Sequence, residues 1–267
     1  MNIYFDNAAT TPLDPEVLKT MIPVLQDVYG NPSSIHSHGR VAKSLIEKSR
    51  KKIASYLGIS PSEISFTSGG TEADNMILKS CVQDLGVQHI ITSPIEHHAV
   101  LHTVEDLAKQ QKVKFSTVEL HKNGHVNLQH LEELLAQKKG KTLVSLMHAN
   151  NEIGNMLPLS EVGALCRKYD ALFHSDTVQT MGHYKIDFKS SHVDFATCSA
   201  HKFHGPKGVG FMYADKSLKL KPMITGGGQE RSMRAGTENI YGIVGLAKAL
   251  ELCYEEMEDH QKQIQAV

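Results

Sequence analysis

The sequence lacks the pairs, runs and charge excesses that would place it in several simple functional classes. Its four cysteines, Cys81, Cys166, Cys198 and Cys253, include no CxxC pair. That argues against a disulfide framework and against a structural zinc site built from thiolates. The expectation is reduced cysteines packed as small apolar side chains in a cytoplasmic protein. Net charge is nearly absent: 28 Lys and Arg against 29 Asp and Glu leave a formal charge of -1. With no run of like charges, neither nucleic acid nor an anionic membrane surface is an expected partner. Apolar runs stay short, as in Leu143-Val144 and Leu146-Met147 around Ser145, far below a bilayer span. The opening Met1-Asn2-Ile3-Tyr4-Phe5-Asp6 has neither the basic nor the apolar region of a secretory signal. There is no internal repeat and no low-complexity tract.

What is present is an ordinary globular composition, 40% hydrophobic and 21% charged, over 267 residues. This suffices for one large domain, or one with a small appendage. Helix-like and strand-like segments alternate. Asp14-Pro15-Glu16 opens a helix that sets Val17, Met21, Ile22 and Leu25 on one face. A second helix spans Gly39 to Leu57 and stops at Gly58. Strand candidates are Ile64–Phe66, His89–Thr92, Lys114–Val118, Thr142–Met147, Ala171–His174, Val193–Thr197 and Val209–Tyr213, separated by helical segments near 72–84, 97–111, 128–138 and 160–168. The alternation predicts an α/β fold with a mainly parallel, mixed sheet flanked by helices, whose ligands lie beyond the carboxyl ends of the strands. A loop rich in Gly, Asn, Pro and Ser covers Tyr29 to His38 and one rich in Gly covers Met223 to Gly236; the second could wrap an anion or a partner subunit, or be a plain flexible turn. From Thr237 the sequence reads as one long helix running to Val267 without a stop signal, so the chain is expected to end inside or just after a connecting helix.

The strongest local feature is Ala200-His201-Lys202-Phe203-His204-Gly205-Pro206-Lys207-Gly208, set between two strand candidates. A lysine at the end of a buried strand is costly as a cation, so its amine tends toward the free, nucleophilic form and can join an aldehyde as a Schiff base. Lys207, by contrast, reads as a solvated loop lysine. Upstream, Ala171 to Asp176 is a buried strand ending in a carboxylate that could hold a protonated ring nitrogen; taken alone it could equally cap a helix. Gln179 follows three residues on. Thr67-Ser68-Gly69-Gly70-Thr71-Glu72-Ala73-Asp74-Asn75 places small residues where a strand feeds a helix, a seat for a phosphate but not a Walker A loop. Glu96-His97 begins another helix, and His97 could stack on a flat ring and exchange protons near neutrality. His98 and His102 have a metal-compatible spacing, yet no third ligand is evident, and no metal is expected.

In this order the segments resemble the cysteine desulfurase family of fold-type I pyridoxal-phosphate enzymes. The resemblance runs through Tyr4-Phe5-Asp6-Asn7-Ala8-Ala9-Thr10-Thr11-Pro12, Gly30 to His36, Thr67 to Glu72, Glu96-His97, Met147 to Gly154, Asp176 to Gln179, Ser199 to Lys202 and Gly226 to Thr237. It implies the large domain of that fold, over residues 16–255, with residues 1–15 bordering the active site and residues 256–267 starting a connecting helix to a small C-terminal domain. It implies pyridoxal 5'-phosphate joined to Lys202, with His97 stacked on the ring and Asp176 on its nitrogen. Asn151 and Gln179 would approach the phenolic oxygen. Gly70, Thr71, Ser199, Ala200 and His201 would surround the phosphate, and Thr237 would reach across a homodimer interface to the neighbour's phosphate. Ala235 stands where serine is frequent. Asn7 and Ala8 would border the substrate.

The implied reaction takes sulfur from L-cysteine, leaving alanine and an enzyme persulfide that feeds an iron–sulfur scaffold or another acceptor protein. The family's nucleophilic cysteine and its substrate-carboxylate arginine belong to the small C-terminal domain, and none of the four cysteines here matches that context. The expectation is therefore a chain inactive on its own. The alternatives are a non-catalytic cofactor-binding or dimerisation module, and a selenocysteine lyase or aminotransferase of the same fold.

Overall fold

The computed structural model describes residues 3–266; Met1, Asn2 and Val267, which belong to the opening and closing segments delimited above, lie outside the described residues. The chain folds as α1 (Pro15–Asp27), α2 (Ser37–Leu57), β1 (Ile64–Thr67), α3 (Gly70–Gln83), β2 (His89–Thr92), α4 (His98–Lys109), β3 (Lys114–Thr117), α5 (Leu128–Ala136), β4 (Thr142–Ser145), α6 (Leu159–Lys168), β5 (Leu172–Asp176), β6 (Phe195–Ser199), β7 (Gly210–Ala214), a short turn α7 (Gln229–Ser232), α8 (Ile240–Glu255) and α9 (Met257–Gln265).

The strands form one sheet in the order β1-β7-β6-β5-β4-β2-β3. Only β7 runs against its neighbours, β1 and β6; the pairs from β6 through β3 are parallel. This mixed, mainly parallel sheet is the expected architecture. Successive strand residues point to opposite faces. Ile90, Leu143, Phe195 and Met212 accordingly pack with α3 and α4, while their neighbours Ile91, Val144, Ala196 and Phe211 pack with α1, α2, α6 and α8. Two apolar layers thus clamp the sheet, and strands buried on both faces read in sequence as continuous apolar runs.

Local signals set the helix starts. Asp14 accepts from the backbone N–H groups of Glu16 and Val17 with Pro15 at the first helical position. The His36 ring caps α2 through Gly39 N, starting that helix two residues ahead of its expected Gly39. Gly58, in the left-handed region at φ 65°, closes α2 as expected.

Two expectations need correction. The long helix after Thr237 is two helices broken at Glu256 (φ -102°, ψ 3°). No Gly or Pro marks the break. Tertiary contacts produce it, since it buries Met257 and brings Gln261 Nε2 to the carbonyl of His183 at 2.9 Å. The Met223 to Gly236 segment is not a plain flexible turn either. Glu230 and Arg231 take positive φ (46° and 57°), and Glu230 turns inward to pair with Arg50 of α2 at 2.7 and 2.8 Å. Arg50 also donates to the Ile64 carbonyl, and Glu230 accepts from Phe66 N. This buried pair covers the outer edge of β1, where unpaired strand groups would otherwise be left exposed. Among the described residues no helix is long and apolar enough to cross a membrane.

Candidate active site

The carboxyl ends of β1, β2, β4, β5 and β6 open onto one cavity of about 420 Å³, a size suited to a small cofactor or substrate. Its floor comes from β5 and β6, which pair with Asp176 opposite Thr197. Asp176, buried at the last position of β5, accepts at Oδ1 from Val178 N (2.9 Å) and from the Thr197 hydroxyl (3.2 Å). It therefore makes the local capping bond and also faces the cavity. Burial and the nearby Asp74 carboxylate push Asp176 up to about 6, with Val178 N–H, His174 and His97 pulling the other way.

Past β6 the chain makes one tight turn, Ala200 to Lys202. Lys202 Nζ enters the cavity and donates to the carbonyls of Ala8 (2.5 Å) and Ala9 (3.0 Å). Burial lowers its pKa, opposed by Asp176 and Asp6. Free amine is thus favoured near neutral pH relative to a surface lysine. Lys207 is exposed, as read from the sequence.

At the other end, Gly69 and Gly70 carry the turn from β1 into α3. A Cβ on Gly70 would lie 2.7 Å from Val178 Cγ2, so only glycine lets the helix start approach the floor this closely. The free N–H groups at the start of α3, with its dipole, face the cavity at Gly70 and Thr71 beside Ser199 and His201. His201 Nδ1 pairs with the Thr10 hydroxyl at 3.0 Å. The Glu72–Arg234 ion pair, two contacts at 2.8 and 3.2 Å, ties the first turn of α3 to the glycine-rich loop.

The walls are His97, Met147, Asn151, Val178, Gln179 and, from the opening segment, Asp6, Ala8 and Ala9. His97 caps α4, its Nδ1 accepting from Ala99 N at 3.1 Å. Asn151 donates to Glu152 at 2.7 Å, and Gln179 Nε2 donates to the Ala8 carbonyl at 2.9 Å. The neighbouring His98 and His102 rings stack 4.8 Å apart on the outside of α4.

Ten of the residues singled out from the sequence therefore share one cavity: Ala8, Gly70, Thr71, His97, Asn151, Asp176, Gln179, Ser199, His201 and Lys202. Three do not line it. Asn7 is exposed; Ala200 is fully buried and packs against Gly205, leaving only its backbone near the site. Thr237 lines a separate hollow of about 150 Å³ with Ser68, Gly208 and Arg234. Sequence reasoning missed Asp74, a buried carboxyl lining the cavity from α3. A carboxylate on an otherwise apolar helix face was the available signal. Asp74 is pushed up to about 7 by burial, and Glu96, just behind the cavity wall, to about 8 by burial with Asp176 and Asp74 adding repulsion.

The donor set suits a flat, anionic, aldehyde-bearing cofactor: a poised amine, a buried carboxylate for a ring nitrogen, and a glycine-floored cradle of N–H groups for a phosphate. Comparison with known proteins points the same way. The aminotransferase class-V family matches residues 3–267. A protein of Bacillus subtilis named putative cysteine desulfurase IscS 1 is 46% identical over 267 residues, covering 99% of this chain and 69% of its own length. Cysteine desulfurase IscS of Dictyoglomus turgidum is 46% identical over 258 residues, covering 96% and 65%. Among solved structures, a NifS-like protein superposes with a TM-score of 0.94 at 45% identity, over 98% of this chain and 72% of that one. SspA in complex with cysteine does so at 0.89 and 36%, over 94% and 72%. The chain spans about two thirds of the length of the curated relatives it matches.

Proposed function

The chain belongs to the class-V aminotransferase family, among its cysteine desulfurases, and on that premise we propose that the cavity holds pyridoxal 5'-phosphate for the removal of sulfur from L-cysteine. The observation that carries this reading is the convergence of Lys202 and Asp176, from the ends of adjacent parallel strands, on one cavity with a glycine-floored anion seat. The cofactor supplies an aldehyde for attachment and a ring that withdraws electrons.

The chain's own residues have separate tasks. Lys202 Nζ would be the point of attachment and would serve as the base for the substrate's α-proton. Asp176, kept ionised, holds a proton on the ring nitrogen. Gly70, Thr71, Ser199 and His201 take the phosphate. His97 covers one ring face, and Asn151 and Gln179 stand at the phenolic oxygen. Asn7 and Ala8, in the opening segment that we assign to residues 1–15, border the substrate. Residues 16–255 form the cofactor domain, and the break at Glu256 supports a boundary there. Thr237, away from the cavity of its own chain, would serve a partner's phosphate in a homodimer. The product sulfur passes to an iron–sulfur scaffold or another acceptor protein in the cytoplasm.

A second reading rests on the thiols. Cys81, Cys166, Cys198 and Cys253 are all buried, and burial pushes every one upward, Cys253 to about 12. None can present a thiolate to substrate sulfur. These 267 residues by themselves then act as a cofactor-binding or dimerisation module, with the sulfur-accepting thiol supplied from elsewhere. Alanine formation from cysteine by the purified, cofactor-loaded chain, at a rate like that of a full-length relative, would exclude the module reading. Parallel assays with selenocysteine and with a keto acid separate lyase and aminotransferase activity from desulfuration.

A further inference from the structure

Beneath the cavity three buried polar side chains form a line that the proposed chemistry leaves unused. Ser145 Oγ on β4 lies 2.9 Å from His174 Nδ1 on β5. The other ring nitrogen, Nε2, faces Asp74 Oδ1 on α3 at 3.4 Å. All three side chains are buried to 1% exposure or less. Neither Asp74 Oδ1 nor His174 Nε2 has any hydrogen-bond partner among the described residues. Two such buried atoms facing each other close into a hydrogen bond with a shift of a few tenths of an ångström, since leaving both unpaired is the costlier state.

The surrounding charges restrict who holds the proton. Asp74 on α3 and Asp176 on β5 repel one another, and Glu96, ahead of α4, repels both. The cationic or ionisable groups facing them are Lys202, His97 and His174, while Asp6 from the opening segment offsets part of the Lys202 charge. His174 itself is neutral, because burial pushes it down to about 4. Three carboxylates cannot all be charged in so small a buried volume.

We propose that Asp74 and His174 are positioning residues for Asp176: they share one proton across their contact, with Ser145 compensating on the far side of the ring, so that Asp74 is the carboxyl that holds its proton longer as pH rises and Asp176 the one that ionises first. The proposal rests on the reading of Asp176 as the partner of the cofactor's ring nitrogen. With Asp74 protonated, its O–H donates to Nε2 and the Nδ1–H donates to Ser145 Oγ. With Asp74 ionised, the ring proton sits on Nε2 and donates to the carboxylate, and the Ser145 O–H turns to donate to Nδ1. The two states differ by one proton released to solvent, and the ring is neutral in both.

The test is nitrogen-15 NMR of the histidine rings in the cofactor-free chain across mildly acidic to mildly alkaline pH, with carbon-13 titration of the aspartate carboxyls. The His174 ring is expected to stay neutral while its proton moves from Nδ1 to Nε2, at the midpoint of one buried aspartate near neutrality. In Asp74→Asn the amide donates to Nε2 at every pH and the switch is lost. In the cofactor-loaded chain, the same substitution is expected to remove one inflection from the pH dependence of the visible band. A ring that keeps one tautomer throughout, or that becomes cationic together with Asp74, overturns the proposal on the wild-type chain alone, whether or not the variant folds. Failure of the cofactor reading looks different: the tautomer switch remains and no visible band forms.

Discussion

Lys202 Nζ donates to the backbone carbonyl of Ala8 at 2.5 Å, across 194 positions of sequence. Gln179 donates to the same oxygen, so the opening segment is held at the cavity by the side chains proposed to work in it. The amine is held by neutral carbonyls rather than by a carboxylate, which leaves it able to lose its proton.

This arrangement sets the direction of a pH effect. Burial lowers the Lys202 pKa, and Asp176 is the larger of two charges raising it. Asp176→Asn removes that charge, so the pKa is expected to fall further. The rate of Lys202 labelling by an amine-reactive probe, read by peptide mass spectrometry against pH, gives the midpoint. A midpoint that rises in the variant contradicts the electrostatic account.

Gly70→Ala tests the anion seat. Its methyl would meet Val178 Cγ2 at 2.7 Å, and Val178 N is the group bonded to Asp176. Overpacking of this kind costs about 1–3 kcal/mol, measurable by urea unfolding, and is expected to weaken phosphate and cofactor binding as well. Adding Val178→Ala opens the space and should recover much of both losses. A double variant no better than the single one places the strain elsewhere.

Much of this was legible in the sequence. Strands buried on both faces wrote themselves as short apolar runs, and all seven strands were found, the exposed edge strand β3 among them; Lys202, Asp176 and Gly70 stood out because each sits where a strand ends. Pairings across long separations were not legible. Nothing near Ile64 says that β7, almost 150 positions on, is inserted beside it in the opposite direction. Nothing near Arg50 announces Glu230, 180 residues away. The break at Glu256 has no local breaker residue, and Asp74 lay hidden because one carboxylate in a helix usually faces water. Local periodicity reports burial and not the identity of the partner.

The Arg50–Glu230 pair carries its own expectation. Glu230→Gln leaves the buried Arg50 guanidinium with Glu47, at 3.1 Å from its Nε, as its remaining carboxylate partner and deprives Phe66 N of a carboxylate acceptor. Breaking a buried pair from one side costs about 3–5 kcal/mol. The midpoint of chemical unfolding should fall accordingly. A loss no larger than that of an exposed pair, such as Lys168→Ala opposite Glu132, would show that the edge of β1 is held by other contacts.

Glu96 gives the stability of the cofactor-free chain a signed pH dependence. Its folded pKa is raised from 4.5 to about 8. Between those values the unfolded chain has released a proton that the folded chain retains, so this group's contribution falls as pH rises through the window. The slope is at most about 1.4 kcal/mol per pH unit. Glu96→Gln removes the term. The stability of the variant relative to wild type is therefore expected to climb from mildly acidic pH to about 8 and then level off. Parallel curves would mean that Glu96 is ionised in the folded chain.

The most direct measurement of the central claim is reductive trapping. The chain is mixed with pyridoxal 5'-phosphate, reduced with borohydride and mapped by peptide mass spectrometry. One phosphopyridoxyl group per chain on Lys202, with the visible band absent in Lys202→Ala, is the expected result. Label spread over surface lysines such as Lys207, or an unchanged band in Lys202→Ala, would contradict the assignment of this cavity.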